Sequence, residues 1–117
     1  MSAHSAPRQS PAGRVLDAEA VALARPHIKQ LERWHARVAF IGAISASGNR
    51  NQTQADYLEE LDEIASEVQV GIVELERSLG TLARTSRGVD RVGAMRRLLV
   101  LIANTRATIA SKAQPDD

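Results

Sequence analysis

The sequence predicts an all-α fold, an antiparallel three-helix bundle around a long, heptad-patterned helical hairpin. Three observations carry that expectation. Leu58, Leu61, Ala65, Val68, Ile72, Leu75, Leu79 and Leu82 alternate spacings of three and four without a miss. This is the repeat of about 3.5 residues that keeps a seam facing a neighbouring helix. Two polar, glycine-bearing stretches, 45–53 (SASGNRNQT) and 84–90 (RTSRGVD), divide the chain into amphipathic segments. No segment shows the period-two alternation of a strand.

The elements follow in order. Residues 1–13 carry Pro7, Pro11 and Gly13 among Ser and Ala; they offer too little apolar surface to offset their ordering entropy and are read as a disordered tail. Residues 14–114 are read as a single helical-bundle domain. Asp17 is expected to cap a short helix over 18–25, which Pro26 ends or kinks. The first long helix is expected over 27–45, where Ile28, Leu31, Trp34, Val38 and Ile41 form an apolar stripe with His35 and Gly42 on its edge.

Thr53 is placed to cap the second helix. At about 1.5 Å per residue, its seam from 58 to 82 is roughly 37 Å long. Tyr57, Ile64 and Gly71 widen one flank, so this helix is expected to touch more than one neighbour. Asp56, Glu59, Glu60, Asp62 and Glu63 crowd its first turns, where the helix dipole favours carboxylates. Gly88, with Ser86 and Asp90 as capping candidates, marks a reversal. The third helix then carries Val92, Met95, Leu98 or Leu99, Ile102, Thr105 and Ile109 on one stripe.

Composition narrows the function. The absence of cysteine excludes disulfides, thiolate metal ligands and a cysteine nucleophile. It fits a reducing compartment, and a cytoplasmic location is expected. The first residues hold no apolar run that reads as a signal peptide or anchor. The apolar stretches 38–44 and 98–103 fall far below the ~20 residues of a membrane span, so no membrane partner is expected. With 15 basic and 14 acidic residues and only Trp34, Tyr57 and Phe40 aromatic, no nucleic-acid partner is expected either.

The seam of the second helix outlasts the first helix. Exposed apolar surface costs about 25 cal/mol per Å², so a homodimer is expected to cover it through Leu61, Val68, Ile72, Leu75 and Leu79. Arg84, Arg87, Arg91, Arg96 and Arg97 form the only basic concentration. Arg84, Arg87 and Arg91 are the residues nominated to dock an anion or an acidic partner. The alternative for these arginines is pairing with the acidic turns of a second chain. There is no P-loop, Rossmann glycine pattern, nucleophile elbow or H-E-x-x-H. The leading expectation is a non-enzymatic helical adaptor or regulator that binds another protein, with no catalytic residue, metal or cofactor.

Three short resemblances stand beside it. Glu32 and His35 form an E-x-x-H on one helix face and resemble half of a ferritin-like carboxylate metal site. That resemblance implies further ligands from Glu63 or Glu67 across a dimer axis. The segment His35-Ala36-Arg37-Val38-Ala39 resembles the site of histidine phosphotransfer domains, helical bundles of similar length. It implies an exposed mid-helix histidine, with Ala39 small enough for the partner to approach. The segment departs from that family at Val38, where a lysine is usual. Thr53-Gln54-Ala55-Asp56 is similar to the opening of a phage-repressor helix-turn-helix. The heptad runs unbroken through the place where that motif must turn, and the segment is acidic, so no DNA reader is expected.

Overall fold

A computed structural model describes residues 11–47 and 53–113. Three α-helices form an antiparallel bundle: α1 (Pro11–Ala46), α2 (Gln54–Leu79) and α3 (Ser86–Ala113), with a 3₁₀ segment, Gly80–Arg84, between the last two. Cross-links fix the order. His27 lies against Ser78, Trp34 against Glu67 and Arg37 against Glu60, so α2 descends as α1 rises. Glu76 meets Arg96 and Asp62 meets Arg106, so α3 reverses again and runs parallel to α1. Among the described residues no helix is long and apolar enough to cross a membrane.

The core follows the apolar stripes. Trp34, Val38 and Ile41 of α1, Leu61, Val68, Ile72, Leu75 and Leu79 of the seam, and Val92, Met95, Leu98, Ile102 and Ile109 of α3 are all buried, while Leu58, Ala65 and Leu82 of the seam are half-buried against them. The three helices come closest at one point. A Cβ on Gly71 of α2 would stand 2.7 Å from the Trp34 ring of α1 and 3.1 Å from the Met95 methyl of α3. Glycine at this position therefore admits both large side chains. Trp34 also donates its indole N–H to Glu67 Oε1 at 2.9 Å, which satisfies the polar edge of a buried ring.

The termini of α2 are fixed locally. Thr53 and Asp56 form a reciprocal capping box, each side chain accepting the other's backbone N–H at 3.2 Å. At the other end Gly80 takes φ +55°, a conformation that suits a residue without Cβ, and its N–H closes on the Glu76 carbonyl.

The structure corrects several boundaries. There is no separate short helix before Pro26: α1 runs 36 residues with Pro26 inside it. Interior proline costs about 3 kcal/mol relative to alanine. Here Pro26 faces outward, and packing on both sides, with Ala20 and Ala24 before it and Trp34 after it, holds one continuous helix. Residues 11–13 open that helix, and the rest of the expected tail lies outside the described residues.

Asp17 is not an N-cap of α1. It sits in the second turn of the helix, only 7% exposed, and accepts the Arg87 backbone N–H at 3.1 Å and the Ser86 hydroxyl at 3.2 Å. The cap of α3 beside it is Thr85, whose Oγ1 accepts the Gly88 N–H at 3.0 Å, in place of Ser86 or Asp90. Gly88 belongs to the first turn of α3. A Cβ there would come within 2.2 Å of the Leu82 carbonyl oxygen, so its role is close approach to the 3₁₀ segment.

Candidate functional site

The α2 seam is core. Exposure runs from 0% at Leu61, Val68 and Leu75 through 3% at Leu79 to 8% at Ile72. The long third helix and the 3₁₀ segment cover what α1 leaves open. The premise of an uncovered leucine seam therefore fails for these five residues, which are buried without a second chain.

Two of the three faces where helices meet are bridged by ion pairs, and a hollow of roughly 210 Å³ lies beside one of them, at Glu76 and Arg96. On the α1/α2 side Arg37 reaches Glu60 at 3.5 Å and Glu67 at 3.9 Å. On the α2/α3 side Arg96 meets Glu76 at 3.1 Å, and Arg106 grips both oxygens of Asp62 at 2.8 and 3.3 Å. Asp62 raises the Arg106 pKa, through the hydrogen bond first and its charge second. These pairs are exposed and solvent-screened, so they flank the seams and add little stability.

The third face, between the parallel α1 and α3, is crossed by Asp17 at one end and by no ion pair along the rest among the described residues. A trough of roughly 440 Å³ runs there, lined by Leu31, Glu32, His35 and Ala36 from α1 and by Ala94, Arg97, Leu98 and Leu101 from α3. At Glu32 it meets a second hollow of roughly 260 Å³, lined by Val21, Arg25, Ile28, Lys29 and Arg91. Aliphatic side chains make the floor and charged side chains the rim. Ile28 and Leu31, read from their spacing as core, are only half-buried because they floor this trough.

The nominated arginines do not converge. Arg84 ends the 3₁₀ segment and is exposed. Arg87 lies 3.7 Å from Asp90 on its own helix. Arg91 alone reaches the trough, where it joins Arg25, Lys29 and Arg97. Arg96 is spent on Glu76, so the basic concentration in the sequence divides between two faces. Arg25 and Lys29 carried no signal by themselves; their spacing of four on α1 matters once α3 sets two arginines opposite them.

His35 is exposed in the middle of α1, and Ala39 one turn later is exposed too. Val38, at the position where phosphotransfer domains place lysine, is buried in the core. The four groups of the carboxylate–histidine reading are not gathered within the chain. Glu32 and His35 face α3, whereas Glu67 accepts from Trp34 on the α2 side. Among the described residues no group of three or more His, Asp or Glu is placed to hold a metal ion. Compared with protein-family models, curated proteins and solved structures, the chain matches none.

Proposed function

We propose that this protein is a non-enzymatic helical adaptor or regulator that binds another protein along the α1/α3 trough. The observation that carries the reading is asymmetry. Two helix–helix faces are bridged by paired charges, while the third has no such bridge and keeps a hollow floored by half-buried Leu31 and Leu101 over buried Leu98, larger than the roughly 210 Å³ hollow beside Glu76 and Arg96. Pockets of about 300–1,000 Å³ also suit small molecules. An open trough between two parallel helices, continued by a second hollow, favours an elongated occupant. The five seam residues nominated for self-association are buried within the single chain, so this reading does not rest on a homodimer through them. A chain without cysteine is at home in the cytoplasm, where we place its action.

Site-specific photocrosslinking tests the reading. A benzophenone side chain at Ala94, in the trough, is expected to capture one protein partner in cells, while the same group at Glu63, exposed on α2, captures none. Equal capture from both positions, or none from Ala94, would sink it.

One observation favours a second reading, a histidine phosphotransfer-like module: His35 is exposed in mid-helix beside exposed Ala36 and Ala39. In that reading His35 takes a phosphoryl group from a phosphoaspartyl donor. Label from acetyl phosphate that is retained in alkali and lost in His35→Gln supports it; absence of label eliminates it.

A further inference from the structure

Resting on the protein-binding reading of the trough, we infer that its occupant is an acidic amphipathic helix of the partner, seated between α1 and α3 as a fourth helix. The chain already contains the template. α2 is an acidic amphipathic helix held between α1 and α3: its apolar stripe enters the core, and its carboxylates reach Arg37 on one side and Arg96 and Arg106 on the other. The opposite face repeats this arrangement without the helix. Arg25 and Lys29 from α1 and Arg91 and Arg97 from α3 flank the half-buried floor. None of these four is paired with a carboxylate among the described residues. An incoming helix with acidic flanks supplies the missing partners, and complementary charge at a rim selects partner and orientation.

The dimensions agree. The lining of the two hollows on α1 extends from Val21 to Ala36, about 22 Å or four turns at 1.5 Å per residue. Such a length receives apolar anchors at i, i+3 or i+4, and i+7. Glu32, where the hollows meet, is the one carboxylate of the lining. It sets the register by favouring a single basic residue near the middle of the incoming helix. An aliphatic floor without exposed aromatic rings gives nothing for nucleic-acid bases to stack on.

Two designed peptides of about four turns, sharing one leucine stripe and differing in flanks of all Glu or all Lys, test the inference by fluorescence anisotropy with the full chain. The Glu peptide is expected to bind about tenfold more tightly or better. Arg91→Glu with Arg97→Glu is expected to reverse the preference, and a gain for the Lys peptide cannot arise from unfolding. Equal binding of both peptides, abolished by Ala94→Trp, overturns the acidic occupant and leaves the docking reading standing. Failure of the Glu peptide to bind, or binding unaffected by Ala94→Trp, also overturns the inference, and the Ala94 crosslink then judges the docking reading separately. A fall in peptide anisotropy as the chain concentration is raised, with a dimer mass by light scattering, puts a second copy in the trough and overturns it. Displacement by phosphatidylserine vesicles does the same in favour of a lipid surface.

Discussion

Asp17 and Arg87 stand 70 positions apart, and the Asp17 carboxylate accepts the Arg87 backbone N–H at 3.1 Å. A side chain in the second turn of α1 thus satisfies one of the free amides at the start of α3, an anion at the positive end of the helix dipole. The bond also ties the first turns of α1, which extend beyond the end of α2, to the 3₁₀ reversal. Asp17→Ala is expected to lower the unfolding free energy by about 1–2 kcal/mol in urea titrations. Asp17→Asn, which keeps an acceptor oxygen, should lose less. An alanine variant as stable as the parent would mean that Thr85 alone caps α3.

Glycines in two helices should respond with opposite signs. Gly71→Ala gains helix propensity of about 1 kcal/mol but drives a methyl to 2.7 Å from the Trp34 ring. Overpacking of this kind costs about 1–3 kcal/mol, so net destabilisation and a shifted Trp34 fluorescence maximum are expected. At Gly42 the added methyl meets only Thr105 Cγ2 at 3.7 Å, an ordinary contact. Gly42→Ala is therefore expected to stabilise by about 0.5–1 kcal/mol. Stabilisation by both substitutions would show that α1 and α2 do not approach at Gly71.

Leu75 separates core from interface. It is fully buried in the single chain, so Leu75→Ala should cost about 2–5 kcal/mol whatever the protein concentration. A loss of stability that fades as the concentration rises would return the residue to a surface between copies.

The trough should tolerate change. Ala94 and Ala36 are not part of the buried core, and Ala94→Trp or Ala36→Trp is expected to leave the urea midpoint within the scatter of ordinary surface substitutions, about ±0.5 kcal/mol. A collapse of helicity in either variant, read by circular dichroism, would show that the trough is packed core.

Periodicity made much of this fold legible. Leu61, Val68, Ile72, Leu75 and Leu79 of α2 and the Val92, Met95, Ile102 and Ile109 stripe of α3 are buried as their spacing requires, because helical period and core face are local properties of the chain. Thr53 was equally readable, since a capping box is complete within four residues. Pro26 and Asp17 were not. One is carried through the helix by packing on both sides, and the other works on an amide 70 positions away. The trough was hidden for a related reason. Ile28 and Leu31 have the spacing of core residues but are half-buried, and Arg25 and Lys29 look like a solvated face until α3 brings Arg91 and Arg97 opposite them. What distinguishes that face is the lack of a fourth helix, and a missing neighbour leaves no periodic mark.

The most direct measurement is the solution mass by light scattering on a sizing column at low and high salt. A chain that covers its own seam and keeps the α1/α3 trough for a different protein should elute as a 12.7 kDa monomer under both conditions. A dimer that persists at high salt would contradict this, because it requires an apolar face buried between two copies.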